Sequence, residues 1–263
     1  MPLLTRLRRG FALIGFEPLR AWTVLKALPS YVAAYLRLRE QAAASAEPFG
    51  PWRLNPCLLD RHERSGVAAG GYFHQDLFVA QRIFVTNPQK HVDVGSRVDG
   101  FVAHVAAFRS IEVVDIRLLE TSAGNIRFSH HDIMASDFTL ADYCDSVSCL
   151  HVLEHLGLGR YGDPVDFDGH QRGFENLRKM VKTGGKLYLS VPLGPQRIEF
   201  NAHRVFSLAY VQKMFERSFR LDMFSYVDDA GEIHADVRLD EPGIARNLDC
   251  NHGVAIFELT RLQ

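Results

Sequence analysis

The stretch from His91 to Gly100, HVDVGSRVDG, limits the chain to few folds. His91-Val92-Asp93-Val94 reads as a short buried strand, Gly95 breaks it, and the run Phe101 to Ala106 resumes as a helix. Strand, glycine loop and helix, in that order, form a ligand crevice at the carboxyl ends of the strands in an open α/β sheet. Glycine lets the backbone approach a ligand where a Cβ would collide. Set beside G-x-G-x-x-G, the loop is Gly95-Ser96-Arg97-Val98-Asp99-Gly100, with arginine at the middle glycine. A lone, imperfect glycine pattern equally marks a tight strand-to-helix turn.

The spacing that follows narrows the choice. Ile111 to Asp115 is a second β-rich run ending in an acid, twenty residues after Gly95, where a carboxylate hydrogen-bonds a ribose diol. A third run, Asn125 to Phe128, leads to His130-His131-Asp132-Ile133, and a fourth, Asp145 to Leu150, leads to His151-Val152-Leu153-Glu154-His155. Further strands are predicted at Lys186 to Pro192, Leu221 to Val227 and Val254 to Leu259. A helix from Tyr72 to Val85 carries an apolar stripe of Phe73, Leu77, Phe78, Ala80, Ile83 and Phe84. The polar cluster Tyr72, His74, Gln75 and Asp76 at its start is either a capped helix end or a ligand contact from above the sheet. Gly173 to Val181 reads as a second helix, ended by Lys182 to Gly185 with a glycine placed for the C-cap. A third lies around Ser207 to Phe215.

Outside this core the segment 1–40 carries seven basic residues, Arg6, Arg8, Arg9, Arg20, Lys26, Arg37 and Arg39, against Glu17 and Glu40, a net +5 on a chain whose total is −1. The overall balance gives no electrostatic case for nucleic acid. Two or three helices are expected here, broken near Gly15, Pro18 and Pro29. They form either a helical extension docked on the main domain or a basic amphipathic surface for an anionic membrane or a phosphorylated partner. The apolar run Phe11 to Phe16 is short and no small-residue cleavage site follows it. Ala21 to Leu36 contains Lys26 and Pro29, whereas a spanning helix needs about 20 mostly apolar residues. Residues 41–57 read as a linker, which divides the chain into a basic helical extension with linker, 1–57, and a main domain, 58–263, opening with a short helix and turn at Leu58 to Val67. Cys57, Cys144, Cys149 and Cys250 show no paired spacing, so they read as reduced thiols in a cytoplasmic setting and not as a zinc site. The loop Gly157 to His170 holds Asp163, Asp166, Asp168 and a histidine, but their spacing fits no EF-hand and no metal is assigned.

This order of elements resembles the class I S-adenosylmethionine-dependent methyltransferases over roughly residues 70–263. Asp93 and Gly95 match the start of their D-x-G-x-G-x-G loop, Asp115 the acid on the ribose hydroxyls, Asp132 the residue beside the adenine, and Leu150 with His151 the segment near the methionine half. Leu153-Glu154-His155 looks like their V-L-E-H, and Thr183 to Leu187 like their P-G-G-x-L turn. Arg97 and Asp99 stand where glycines are usual. The resemblance implies a Rossmann-like, mostly parallel, seven-stranded sheet with its last strand antiparallel. It also implies S-adenosyl-L-methionine as cofactor, held by Asp93, Gly95, Ser96, Arg97, Gly100, Asp115, Asp132, Leu150 and His151. Three stretches, Tyr72 to Asp76, His151 to Pro164 and Val191 to Ser207, are similar to the DUF268 family, whose bacterial members are expected near surface-polysaccharide genes.

The resemblance therefore points to methyl transfer onto a saccharide or another small polar acceptor. A hydroxyl acceptor needs a base, and imidazole suits the task. The candidates are His151, His155 and His203, with Glu154 to orient one of them. His155 and His203 follow neighbouring strands and are expected to face one pocket, with Arg204 beside them to grip an anion. Should they not, the role passes to His151 or to the aspartates from Asp163 to Asp168. Two other readings stay open. One is a methyltransferase-like binding protein without cofactor, suggested by the altered glycine loop. The other is a nicotinamide-dependent oxidoreductase, against which Arg97 and the lack of a hydride-transfer constellation count.

If the +5 segment serves a membrane surface, flotation of the full chain with liposomes should require anionic lipid and weaken with salt. Equal recovery on neutral and anionic vesicles would leave the docked extension.

Overall fold

The computed structural model describes residues 12, 15, 17–47, 49–63, 65–120 and 123–263. It divides into two compact units, residues 1–67 and 68–263.

In the first unit α1 (Pro18–Ala44) runs unbroken through the position near Pro29 where a break was expected, and the expected break near Gly15 falls among residues mostly outside the described ones. Pro18 occupies its first turn, where the missing N–H is not needed. Pro29 lies inside and does not end the helix, although it removes one backbone hydrogen bond. Ser30 Oγ donates to the Ala27 carbonyl at 2.8 Å beside it. The three alanines assigned to the linker form the last turn of α1, as the strongest helix formers should. Beyond it Trp52 meets Tyr35 edge-on at 6.1 Å and lies under the Arg39 guanidinium at 5.2 Å. The short helix expected at 58–67 is a single 3-10 turn, Asp60–His62. Arg6, Arg8 and Arg9 lie outside the described residues. Among the described residues no helix is long and apolar enough to cross a membrane.

The second unit is a three-layer α/β structure. Its helices are α2 (Gly71–Thr86), α3 (Ala103–Ala106, entered by a π-type turn at Val98–Val102), α4 (Gly169–Met180), α5 (Leu208–Phe215) and α6 (Glu241–Arg246). The strands of its main sheet are β1 (His91–Val94), β2 (Ile111–Asp115), β3 (Ile126–His130), β4 (Cys144–Leu150), β5 (Val181–Leu193), β8 (Phe219–Val227), β9 (Ile233–His234) and β10 (Gly253–Arg261). They lie in the order β3-β2-β1-β4-β5-β10-β8-β9. Strands β1 to β5 pair in parallel, and β10 runs antiparallel between β5 and β8. The seven expected strands are all present, and the two-residue β9 adds an eighth. The fully parallel order of a dinucleotide-binding Rossmann sheet is not the one found here. A separate hairpin of β6 (Arg197–Glu199) and β7 (His203–Val205) follows β5.

Each sheet face has its own core. On one side Phe174, Leu177 and Met180 of α4 and Leu208, Val211 and Phe215 of α5 pack on β4, β5 and β10. On the other, Val79, Ala80 and Ile83 of α2 meet Phe101, Val102 and Val105. The buried stripe of α2 is therefore rotated from the expected one. Phe73, Leu77 and Phe84 are exposed, while Gln75 is buried because its Oε1 accepts from Ser190 Oγ at 2.5 Å. Phe84 packs edge-on against Phe108 at 5.3 Å instead. The glycine expected at the C-cap of α4 is not there. Val181 closes the helix in extended conformation and already pairs with Cys144, and Gly184 (φ +77°) lies further on, where the β4–β5 register shifts. All four cysteines are free, and Cys144, Cys149 and Cys250 are buried.

His91 is sealed beneath this sheet, its ring nitrogens on Ser146 Oγ at 2.9 Å and Ser148 Oγ at 3.2 Å. Burial, aided by the charge of Arg109, lowers its pKa to about 3. Above pH 6.5 the imidazole is neutral in both folded and unfolded chains and its contribution is complete. As pH falls from 6.5 towards 3 the unfolded chain takes up a proton that the folded chain refuses, so stability drops. Asp93, raised to about 6 by burial, works the other way, its contribution being lost as pH rises through 6. In urea titrations His91→Gln should remove up to about 1.4 kcal/mol per pH unit of positive slope between pH 6.5 and 4.5, leaving the opposing slope of Asp93. Parallel slopes for variant and wild type would remove His91 as the source.

Candidate active site

A cavity of about 810 Å³ opens at the carboxyl ends of β1, β2 and β4, beside the first turn of α2. Its wall includes Gly95, Ser96, Arg97, Gly100, Asp115, Asp132, Leu150, His151, Glu154, His155 and His203, so one space gathers the expected donor-binding residues and the first-choice acid–base candidates, all but one. The exception is Asp93, which is fully buried below the wall. Its carboxylate accepts from Ser96 N (3.0 Å), Ser96 Oγ (2.8 Å) and Ser148 Oγ (2.5 Å). It shapes the loop from beneath.

The loop solves its glycine deficit locally. Gly95 has φ +72°, and a Cβ there would stand 3.0 Å from Val152. A Cβ on Gly100 would stand 2.8 Å from Asp76 Oδ2. Gly95 needs glycine for its φ, at Gly100 only the flexible Asp76 carboxylate would have to yield, and Arg97 and Asp99 bind each other at 2.7 Å on the surface. At the end of β2, Asp115 is held by Arg117, with Nη2 at 2.6 Å, Nε at 3.0 Å and the backbone N–H at 2.8 Å. At the end of β3, Asp132 Oδ1 accepts from Met134 N at 2.8 Å.

The opposite wall carries the imidazoles. His151 adopts φ +55°, unusual for a residue with a side chain. Its Nδ1 donates to Glu154 Oε1 at 2.7 Å, and Tyr72 lies over its ring at 5.0 Å. His155 Nδ1 donates to the Ala202 carbonyl at 2.8 Å, and its Nε2 stands 3.7 Å from the same Glu154 oxygen. Glu154 is thus shared between two imidazoles and is 1% exposed. Burial lowers the His155 pKa below its ordinary value, which keeps this ring neutral with a lone pair on Nε2. Burial also raises the Tyr72 hydroxyl, with the Glu154 charge adding to it. The His203 ring lies 6.4 Å from that of His155. Two buried atoms on this wall, His151 Nε2 and Glu154 Oε2, have no hydrogen-bond partner among the described residues. A polar ligand would complete them.

Arg204, expected to grip an anion, is buried instead and donates to the Leu156 (2.6 Å) and Phe167 (3.0 Å) carbonyls. Two aspartates of the following loop, Asp163 and Asp166, are also structural. Asp163 accepts from the backbone N–H groups of Gly157, Gly159 and Tyr161, and Asp166 pairs with Arg172 at 3.1 Å. Among the described residues no group of acids, histidines and cysteines could hold a metal ion. Arg117, Arg160, Tyr161 and His252 also line the cavity and went unnoticed in the sequence. Only their nearness to strand ends could have signalled them.

The strand order, the antiparallel β10 and the loop after β1 define the fold of the class I S-adenosylmethionine-dependent methyltransferases. The chain belongs to the family described as Caenorhabditis protein of unknown function, DUF268, whose profile matches residues 104–241. Among solved structures it is similar to the 1,6-didemethyltoxoflavin-N1-methyltransferase of Burkholderia thailandensis, with TM-score 0.51 and 12% identity over 94% of this chain and 91% of that one. It is similar to the N-methyltransferase NodS of Bradyrhizobium japonicum WM9, with TM-score 0.50 and 11% identity over 75% of this chain and 100% of that one. The [4+2]-cyclase SpnF matches comparably, with TM-score 0.50 and 13% identity over 71% and 80%. The sequence matches none of the curated proteins. At these identities the likeness is one of fold, which does not fix the reaction.

Gly95→Ala should lower stability by about 1–2 kcal/mol, the cost of a left-handed conformation for a residue with a Cβ. Arg97→Gly should leave the urea midpoint unchanged. Equal effects would mean that the loop depends on the Arg97–Asp99 pair.

Proposed function

We propose that the protein is an S-adenosylmethionine-dependent methyltransferase that methylates a hydroxyl of a saccharide or another small polar acceptor. The observation that carries this is the pairing, across one cavity, of a glycine-loop wall ending in Asp115 and Asp132 with a wall bearing a neutral, oriented imidazole. The first wall fits the donor. Gly95 leaves room for close approach, Asp115 stands where ribose hydroxyls are held, and apolar Val94, Val114 and Ile133 lie between. When bound, S-adenosylmethionine supplies an activated methyl group, whose sulfur leaves as a neutral thioether with the bonding electron pair.

The chain's own task is then to align an oxygen with that methyl group and to take its proton. His155 is the base. Its Nδ1–H is fixed on Ala202, so Nε2 is free to accept the hydroxyl proton. Glu154, 3.7 Å from Nε2, stabilises the imidazolium that results. His151 positions Glu154 through its 2.7 Å hydrogen bond. His203, Tyr161 and His252 give the acceptor side polar and aromatic groups suited to a sugar.

One observation favours a second reading, a binding protein without cofactor. Both oxygens of Asp115 are taken by Arg117, which a ribose would have to displace. Titration calorimetry with S-adenosylhomocysteine separates the two. The full chain should bind it, and Asp115→Ala should bind about 10- to 100-fold more weakly. With labelled donor and a polar glycan fraction, His155→Ala should keep that affinity while turnover falls about 10² to 10⁴-fold. The acid limb of kcat/KM should lie below pH 6.5, because burial lowers the His155 pKa and the base stays unprotonated further into acid. A wild-type chain that does not bind S-adenosylhomocysteine would leave the second reading standing.

A further inference from the structure

We infer that the acceptor is an anion, and that Arg160 grips a phosphate or carboxylate carried by the sugar beside the His155 imidazole. This deepens the reading above and rests on it.

Two of the three arginines on the cavity wall are paired, while its carboxylates Asp76 and Asp132 take only uncharged partners, Gln75 and the Met134 N–H. Arg97 is paired with Asp99, and Arg117 with Asp115. Asp163 is saturated by backbone amides, and Glu154 is shared by His151 and His155. Among the arginines Arg160 is the exception, forming no ion pair among the described residues. Its Nη1 donates to the Ala202 carbonyl at 2.9 Å, and its guanidinium lies 5.0 Å from the centre of the Tyr161 ring.

Ala202 is also the carbonyl that receives His155 Nδ1. One oxygen therefore anchors both the proposed base and the unpaired cation, which fixes the guanidinium next to the reacting position. The remaining N–H groups of Arg160 have no partner among the described residues, and their planar fork matches an oxyanion. Two more donors share this part of the wall. His252 receives Arg197 Nη2 on its Nδ1 at 3.0 Å, which leaves its Nε2–H as a donor. His203 stands 6.4 Å from His155, and the nearest carboxylate, Glu199 at 3.9 Å, is taken up by Arg197 at 3.0 Å. A neutral sugar would leave Arg160 without a counter-charge, whereas a sugar phosphate or uronate supplies one.

The test uses calorimetry on the full chain saturated with S-adenosylhomocysteine, with glucose 1-phosphate, glucuronate and glucose as probes. At least one anionic sugar should bind about 10- to 100-fold more tightly than glucose, the range expected for hydrogen bonds to a charged group. The two anionic arms tell phosphate from carboxylate. Arg160→Gln should abolish the preference with S-adenosylhomocysteine affinity unchanged, and Arg160→Lys, which keeps the charge without the fork, should retain part of it. Three results would each overturn the inference: no preference for either anion in the wild type, a preference that survives Arg160→Gln, or an Arg160→Gln loss that falls on S-adenosylhomocysteine. Failure of the wild type to bind S-adenosylhomocysteine at all would count against the methyltransferase reading instead. The sugar series run without it would still decide whether Arg160 holds an anion.

Discussion

Asp93 ties three pieces of backbone together from inside the sheet: its own strand β1, the turn at Ser96, and β4 through Ser148. A carboxylate sealed from water is costly unless every lone pair finds a donor. Here three donors surround it, yet burial still raises its pKa to about 6. The consequence for the site is directional. With Ser96 drawn down onto Asp93, Gly95 turns through a positive φ towards Val152, and the chain leaves the strand with Arg97 and Asp99 facing solvent. A loop fixed from below in this way can tolerate bulky residues at two positions where its relatives in fold use glycine.

The same economy of charge governs the far wall. Glu154 lies almost wholly out of water and has no cation beside it, only two imidazoles. One carboxylate oxygen, Oε1, joins the three groups, at 2.7 Å from His151 Nδ1 and 3.7 Å from His155 Nε2. Arg204 supports them from behind. By donating to the carbonyls of Leu156 and Phe167 it pins the loop after β4 to the start of β7. A cation placed to hold a loop and a cation placed to hold a ligand thus sit on the same hairpin's flank and differ only in what their N–H groups find.

The sheet was legible in the sequence because β1, β2, β4 and the second half of β5 are β-rich runs that end at glycine, proline or polar residues. So was the set of polar strand ends, since the carboxyl ends of parallel strands must share one side of the sheet. Other features depend on partners far away in the chain. Gln75 occupies a core position of α2 because of Ser190, which no helical periodicity reveals. The β6–β7 hairpin brings His203 to His155 through three-residue strands too short to carry a pattern. Arg204 and Arg160 lie near one another in role on paper, and only the count of available carbonyls separates them. The continuation of α1 through Pro29 overrode a local preference that normally ends a helix.

Strand β10 has a consequence of a different kind. It follows β8 in the chain but lies between β5 and β8, and among the strands of the main sheet β8 touches only β10 and β9. On the ribosome, β5 is therefore made long before its second neighbour, and the β8–β9 hairpin emerges with nothing to pair against. Until Gly253 to Arg261 is synthesised, the nascent chain carries two open strand edges, one of them the mostly buried, thirteen-residue β5. Such edges are templates for pairing with other chains. The sheet closes in a single late step, and the edge of β5 stays open from Leu193 until the last strand is made.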